Sequence, residues 1–226
     1  MTIPISPNFE INLLPAEIAE YVANHTTKED ELFSRLRAET QATLAMPQMQ
    51  VGPVEGRFLQ LMVQISGAKS ILEIGTYSGY SSLMMARALP EDGKLITCDV
   101  DPKVTAVAQR YFTESGLGSR ISIRLGPALD TINQLAKTGQ RFDLVFMDAD
   151  KENYVNYWDA VIPLLPIGGI VLADNTLWSG RVLHPQSASD HGIVAFNQRV
   201  VSDRRVEHVL LSIRDGIMLA RKVRAS

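Results

Sequence analysis

The stretch SILEIGTYSGYS, from Ser70 to Ser81, constrains the fold more than any other part of the chain. Its apolar residues predict a short buried strand, and Gly75 and Gly79 allow the backbone to turn tightly into a following helix. In a parallel α/β sheet such a turn lies at the carboxyl ends of the strands, where ligands bind. Glu73 is unusual, because an acid inside a buried strand is costly unless a cation or hydrogen-bond donors meet it.

Two kinds of cofactor compete for this turn. A dinucleotide fingerprint requires glycine at three fixed positions, so that bare backbone can touch the pyrophosphate. Counted from Gly75, the two later positions hold Tyr77 and Tyr80, which disfavours a nicotinamide-dependent oxidoreductase. A ligand with a cationic end and no phosphate, such as S-adenosylmethionine, suits the acid at Glu73 better. Any strand-to-helix turn can carry two glycines, so the turn alone leaves both cofactors open.

The pattern of short apolar strand, turn and helix repeats five times from Ser70 onward. The later strands are predicted at 94–98, 120–124, 142–147 and 170–173, and Asp215-Gly216 joins two more, 206–212 and 217–221, into a hairpin. Helices are predicted before the sheet, with Thr26 and Glu29 as a capping box for the second. We therefore expect an α/β fold: a doubly wound, seven-stranded sheet, mostly parallel with one antiparallel edge strand, plus N-terminal helices.

Length and composition bound the rest. A chain of 226 residues suits a single domain, 1–226, in which 1–66 forms a helical cap or dimer segment and 67–226 the cofactor-binding core; an extended arm is predicted before Pro15. The net charge of −3 disfavours a nucleic-acid partner. The single cysteine, Cys98, excludes an internal disulfide, and no signal peptide or spanning apolar run is evident. We expect a cytoplasmic protein.

Acidic and amide side chains end several predicted strands at one edge of the sheet. Asp99 ends the second strand about twenty residues beyond the glycine turn, where a carboxylate can bind both ribose hydroxyls of an adenosine. A helix-capping role is the alternative for Asp99, but Asp101 already serves as a cap. Asp148 and Asp150 end the fourth strand.

Asp148, Asp174 and Asn175 are expected to share one ligand, because neighbouring strands lie about 4.8 Å apart. Oxygen ligands favour hard ions, with Mg²⁺ ahead of Mn²⁺ or Ca²⁺, and a vicinal diol on an aromatic ring would fill open coordination positions. Each residue alone is equally an ordinary turn residue. Two interpretations of Lys151 stay open. It is a solvated lysine at a helix start, or it lies beside a metal that lowers its pKa and acts as the base for a phenolic hydroxyl.

Four segments together resemble the cation-dependent O-methyltransferases of the caffeoyl-CoA type. They are LEIGTYSGYS, GPAL at 126–129, MDADKENY at 147–154 and ADNTLWSG at 173–180. The resemblance implies a class I, Rossmann-like methyltransferase fold, a homodimer, and methylation of one hydroxyl of a catechol-type small molecule. It also implies that S-adenosylmethionine and a divalent cation bind. Nucleic acid and membrane are disfavoured as partners by the net charge and by the lack of a spanning apolar run.

The resemblance also implies roles for individual residues. It assigns the metal to Asp148, Asp174 and Asn175, and the base to Lys151. The cofactor-binding residues that it implies are Val51, Glu73, Gly75, Thr76, Ser81, Asp99, Ala128 and Asp150.

Differences from the plant enzymes concern the acceptor. Ser179 replaces an asparagine, Val51 replaces a threonine, and the amino-terminal arm and the loop at 179–191 differ. A free catechol is therefore favoured over a coenzyme A thioester. Met49, Trp178 and Ser179 are candidate acceptor contacts, although Met49 and Trp178 equally suit a core. A nucleic-acid methyltransferase and a non-catalytic cofactor-binding module are the remaining alternatives.

Overall fold

The computed structural model describes residues 13–225; residues 1–12 of the predicted arm lie outside the described range. In that range the chain forms eight α-helices and seven β-strands. The helices are α1 (Ala16–Asn24), α2 (Glu31–Thr43), α3 (Pro53–Ser66), α4 (Tyr80–Ala88), α5 (Pro102–Glu114), α6 (Ala128–Lys137), α7 (Tyr154–Val161) and α8 (Ala188–Ser202). The strands are β1 (Ser70–Ile74), β2 (Lys94–Asp99), β3 (Ile121–Leu125), β4 (Leu144–Met147), β5 (Ile170–Ala173), β6 (Val206–Leu211) and β7 (Ile217–Lys222).

All seven strands of the described chain lie in one sheet, in the order β3-β2-β1-β4-β5-β7-β6. The strands β1 to β5 pair in parallel, and β7 pairs antiparallel with both β5 and β6. The order reverses at β1, whose neighbours are β2 and β4, and ligands bind at such a switch point. The predicted fold class is confirmed. The antiparallel strand, β7, lies between β5 and β6, so the edge strand on this side of the sheet is β6 and the hairpin as a whole forms this edge.

Two apolar clusters cover the two faces of the sheet. One contains Phe33 and Leu59 from α2 and α3, with Met84 and Phe112 from α4 and α5. The other is built from α6, α7 and α8, and its largest side chain is Trp158; we call it the Trp158 cluster. The helices α2 and α3 therefore share the core of the sheet.

The first residues of β1 explain how its acid is oriented. Successive side chains of a strand point to opposite faces. Leu72 and Ile74 belong to the Trp158 cluster, and Ile71 belongs to the cluster on the α4 side. Glu73 shares the face of Ile71, so its carboxylate is directed at α4.

The start of α2 differs from the prediction. Asp30 is the N-cap, and its Oδ1 accepts hydrogen bonds from the amides of Leu32 and Phe33 at 3.1 and 3.4 Å. The predicted capping box of Thr26 and Glu29 is wrong. The Thr26 hydroxyl donates to a carbonyl of α1, and the Glu29 carboxylate accepts from Tyr80 and Arg37 instead.

Within residues 13–225 no helix has both the length and the apolarity that a crossing of the bilayer requires.

Candidate active site

The glycine turn between β1 and α4 packs directly on the end of β4. Gly75 has φ 103°, and a Cβ there would lie 1.9 Å from the carbonyl oxygen of Asp148. Gly79 has φ 85°, and a Cβ there would lie 2.6 Å from Cε1 of Phe112. Both positions therefore need glycine, for their backbone angle and for the space that a side chain would occupy.

Asp99 holds this turn from the neighbouring strand. Its Oδ2 accepts hydrogen bonds from the backbone amides of Thr76 and Tyr77, at 3.1 and 2.7 Å, and its Oδ1 accepts from the amide of Asp101 at 2.9 Å. An ionised carboxylate has about four acceptor sites, so these three bonds leave capacity for a ligand. The structure thus places Asp99 against the glycine turn, and ribose binding by Asp99 stays a prediction.

Glu73 meets hydrogen-bond donors from α4. Its Oε1 accepts from the Ser81 hydroxyl at 2.5 Å, and its Oε2 accepts from the Ser82 hydroxyl. The side chain is fully buried. Burial raises the pKa of Glu73 to about 7, against the opposing effect of the serine hydroxyls. Hydrogen bonds from two serines therefore stabilise this buried acid. Ser82 was not among the predicted site residues.

The predicted cation ligands stand at the ends of β4 and β5. The backbone amide of Asn175 donates to Oδ1 of Asp174 at 2.6 Å, and this bond fixes the orientation of the Asp174 carboxylate. Asn175 has φ 59°, a left-handed conformation that asparagine tolerates better than most residues. Its Nδ2 lies 3.5 Å from Oδ2 of Asp215, in the loop between β6 and β7.

Lys151 links these two strand ends. Its Nζ donates to Oδ1 of Asp148 at 2.8 Å and to the hydroxyl of Tyr154 at 2.7 Å. The Tyr154 hydroxyl in turn lies 3.2 and 3.1 Å from the carbonyl oxygens of Met147 and Asp174. Burial alone would lower the pKa of Lys151, but the carboxylates of Asp148 and Asp174 outweigh it and raise that pKa. Tyr154, which was not predicted, therefore belongs to the site.

The side chains at the ends of β4 and β5 offer oxygen donors and an excess of negative charge. Burial and the charges of Glu55 and Asp148 raise the pKa of Asp174 well above its usual range. Additional positive charge would therefore stabilise this buried group, and carboxylate and amide oxygens are the ligands that Mg²⁺ and Mn²⁺ prefer. Across 13–225, no three His, Cys, Asp or Glu side chains are arranged to hold one ion. The predicted ligand set needs only the two aspartates and Asn175, whose oxygen donors suit a hard cation in their chemistry; that they bind one stays a prediction.

Three further predicted cofactor residues line the surrounding turns. Asp150 accepts hydrogen bonds from Asn153 and from the Tyr157 hydroxyl, so its carboxylate is held in place. Ala128 is the first residue of α6, and Val51 lies in the loop before α3; both are buried. Their contacts with a cofactor stay predictions.

The candidate acceptor residues differ in their surroundings. Trp178 donates from Nε1 to Oδ1 of Asp190 at 2.8 Å, and Nζ of Lys151 lies 5.6 Å from its ring centroid. The amide of Ser179 donates to Oδ1 of Asp215 at 2.5 Å. Trp178 and Ser179 have φ of 48° and 54°, so this loop is held in a conformation that side chains rarely adopt. Met49 is 53% exposed.

Comparisons with known proteins identify the family. Residues 23–223 match the family model described as O-methyltransferase. The chain is 38% identical over 217 residues to a catechol O-methyltransferase of Niastella koreensis, covering 92% of this chain and 98% of that protein. It is 36% identical over 207 residues to a caffeoyl-CoA O-methyltransferase of Petroselinum crispum, covering 87% and 86%.

A solved structure supports the same assignment. The O-methyltransferase TomG from Streptomyces achromogenes, determined in complex with SAM, superimposes with a TM-score of 0.85 at 30% identity, covering 92% of this chain and 96% of that one. The chain belongs to the O-methyltransferase family. It is an S-adenosylmethionine-dependent O-methyltransferase of the caffeoyl-CoA and catechol group, with the class I methyltransferase fold.

Proposed function

We propose that the chain is a divalent-cation-dependent O-methyltransferase that methylates one of two adjacent hydroxyls on a free catechol. The observation that carries the proposal is the arrangement of Lys151 between the ends of β4 and β5, bonded to Asp148 and close to Asp174 through Tyr154. A cation-binding pair of acids and a buried lysine in one place suit a reaction in which a phenolic hydroxyl must be oriented and deprotonated.

The chain's residues divide the work of the reaction. Asp148, Asp174 and Asn175 would hold the cation, which supplies Lewis acidity to a bound hydroxyl. Lys151 Nζ receives the hydroxyl proton in its neutral form, which a cation held beside it would favour by opposing the carboxylates that raise the Lys151 pKa. Asp148 then stabilises the resulting ammonium. The phenolate oxygen forms a bond to the methyl carbon as the carbon–sulfur bond breaks, so the sulfonium becomes a neutral thioether. Charge is neutralised in this step, so the site accelerates it mainly by positioning and by excluding water.

The residues around the cation site suggest how the acceptor binds. Trp178 lies beside Lys151, and Met49 is exposed in the turn before α3. We infer that these two side chains contact the aromatic ring, with Ser179 at its rim. Ser179 stands where the plant pattern has an asparagine, which supports a small free catechol as acceptor.

We also propose that the chain forms a homodimer. Exposed apolar side chains on α1 and α3, with Ile65 at 77% and Tyr21 at 63% exposure, support a homodimer in which these helices meet the partner. Light scattering coupled to gel filtration tests this, and a monomer at micromolar concentration contradicts it.

Transfer of a labelled methyl group tests the proposed reaction. We incubate the protein with methyl-labelled S-adenosylmethionine, Mg²⁺ and three acceptors: a free catechol, the matching monophenol and a catechol thioester of coenzyme A. We expect label on one hydroxyl of the free catechol and little on the monophenol. Equal labelling of catechol and monophenol would contradict a site that recognises two adjacent oxygens.

A further inference from the structure

Glu55 is a buried acid that the proposed reaction does not use. It lies in the first turn of α3, and its side chain is fully buried. Its Oε2 accepts a hydrogen bond from Nη1 of Arg214, whereas its Oε1 meets no donor among residues 13–225. A buried carboxylate oxygen without a hydrogen-bond partner is costly. The Oε1 atom therefore indicates that a bound ligand or a positive charge completes this part of the protein.

The partner of Glu55 comes from the loop that also supports the cation site. Arg214 lies 159 positions further along the chain, between β6 and β7, and has φ 49°. The next residue, Asp215, accepts from the amide of Ser179 and lies 3.5 Å from Nδ2 of Asn175. One loop therefore fixes both Glu55 and the residues that follow β5.

The Glu55 carboxylate lies close enough to Asp174 for its charge to raise the pKa of that group, and the charge of Asp148 acts on both acids. When all three are ionised, Lys151 and Arg214 supply two positive charges against three negative ones. Adjacent ionised carboxylates repel each other, so this arrangement favours the binding of further positive charge.

We propose that Glu55, held by Arg214, is a positioning residue of the cation site: it orients the Asp174 carboxylate and raises the affinity of the site for Mg²⁺ or Mn²⁺. No three acids among residues 13–225 are grouped to hold one ion, so we assign Glu55 a supporting role and not that of a ligand. Groups that orient metal ligands in this way are worth roughly 10–100-fold in metal affinity. The inference rests on the proposed function, since it requires a cation between Asp148 and Asp174.

Calorimetric titration with Mn²⁺, and separately with S-adenosylmethionine, tests the proposal on the full chain. Glu55→Gln keeps the shape of the side chain and removes its charge. We expect the Kd for Mn²⁺ to rise roughly 10–100-fold, with the Kd for S-adenosylmethionine within a few-fold of wild type. Glu55→Asp keeps the negative charge, but its side chain is shorter by one methylene group, so the carboxylate lies further from Asp174. We expect the Mn²⁺ affinity of this variant to lie between those of wild type and Glu55→Gln.

Glu39→Gln is the matched control. Glu39 is also paired with an arginine, Arg110, and accepts from the Tyr111 hydroxyl, but it belongs to α2. Its substitution should leave the Mn²⁺ affinity unchanged.

Unchanged Mn²⁺ affinity in Glu55→Gln overturns the proposal, as does an equal loss of Mn²⁺ and S-adenosylmethionine affinity, which would make Glu55 merely structural. If Glu55→Gln does not fold, an Asp variant that binds Mn²⁺ as tightly as wild type overturns it. Absence of Mn²⁺ binding by the wild-type protein is a separate result, because it contradicts the proposed cation dependence itself.

Discussion

Buried charged side chains at this site are held by partners from other elements, which lie between 3 and 159 positions away in sequence. The serines that bind Glu73 come from α4, the tyrosine that binds Lys151 comes from α7, and the arginine that binds Glu55 comes from the last hairpin. Each partner meets a buried charge, for which an unpaired state would cost several kcal/mol. Substitutions of such residues therefore test the site more directly than substitutions on the surface.

Glu73 should make stability depend on pH. Its pKa is about 7 in the folded protein and 4.5 for the ordinary group, so the folded state holds a proton that the unfolded state releases. The stabilisation from the neutral acid is full below about pH 4.5 and is lost as the pH rises to about 7. We expect the free energy of unfolding of wild type, relative to Glu73→Gln, to fall by about 2–3 kcal/mol from pH 4.5 to 8.

Urea titrations of both proteins without S-adenosylmethionine measure this difference. Parallel pH profiles for wild type and Glu73→Gln would show that Glu73 does not take up the proton.

Gly75→Ala should disrupt the turn. Its Cβ would collide with the Asp148 carbonyl, and φ 103° is unfavourable for alanine. We expect a loss of roughly 2–4 kcal/mol in unfolding free energy, together with weaker S-adenosylmethionine binding. Gly139→Ala is the control, because Gly139 also has positive φ but nothing within 4 Å of its Cβ position. It should cost about 1 kcal/mol, and an equal cost for both variants would exclude the collision as the cause.

At the scale of the elements, local sequence predicted most strands to within two residues. The strands β1, β4 and β5 were recognisable because each is a short, mainly apolar run that is followed by a glycine or an acid. The start of α2 was missed for a tertiary reason: Glu29 fits a capping box in sequence, but Tyr80 and Arg37 take its carboxylate. Sequence spacing carries no information about such distant partners.

Asp30→Ala tests the observed cap of α2. The substitution removes the bonds to two backbone amides and the ion pair with Arg87, so we expect a loss of about 1 kcal/mol in unfolding free energy. Thr26→Ala should cost less, because the Thr26 hydroxyl only donates to the carbonyl of Val22. The denaturant midpoints of the two variants measure this difference. A larger loss of stability for Thr26→Ala would contradict Asp30 as the cap and support the capping box of Thr26 and Glu29.

At the scale of the whole molecule, the sheet order explains why the candidate site forms where it does. The strands β1, β4 and β5 are neighbours, so the glycine turn, Asp148 and Asp174 meet at one edge although 99 residues separate Gly75 from Asp174. The acids at the strand ends were visible in the sequence. Glu55 was not, because an acid just after Pro53 is typical of an exposed first helical turn. Its burial follows from the packing of α3 on α4 and from Arg214.

The central claim is that the chain needs a divalent cation held by Asp174 for methyl transfer. Its most direct test is the turnover of a free catechol by wild type and Asp174→Ala, after removal of metal by a chelator and after return of Mg²⁺. Wild-type turnover should fall at least about 100-fold with chelator and recover with Mg²⁺, while Asp174→Ala stays inactive and keeps its S-adenosylmethionine affinity within a few-fold. Full wild-type turnover in the presence of the chelator would contradict the account.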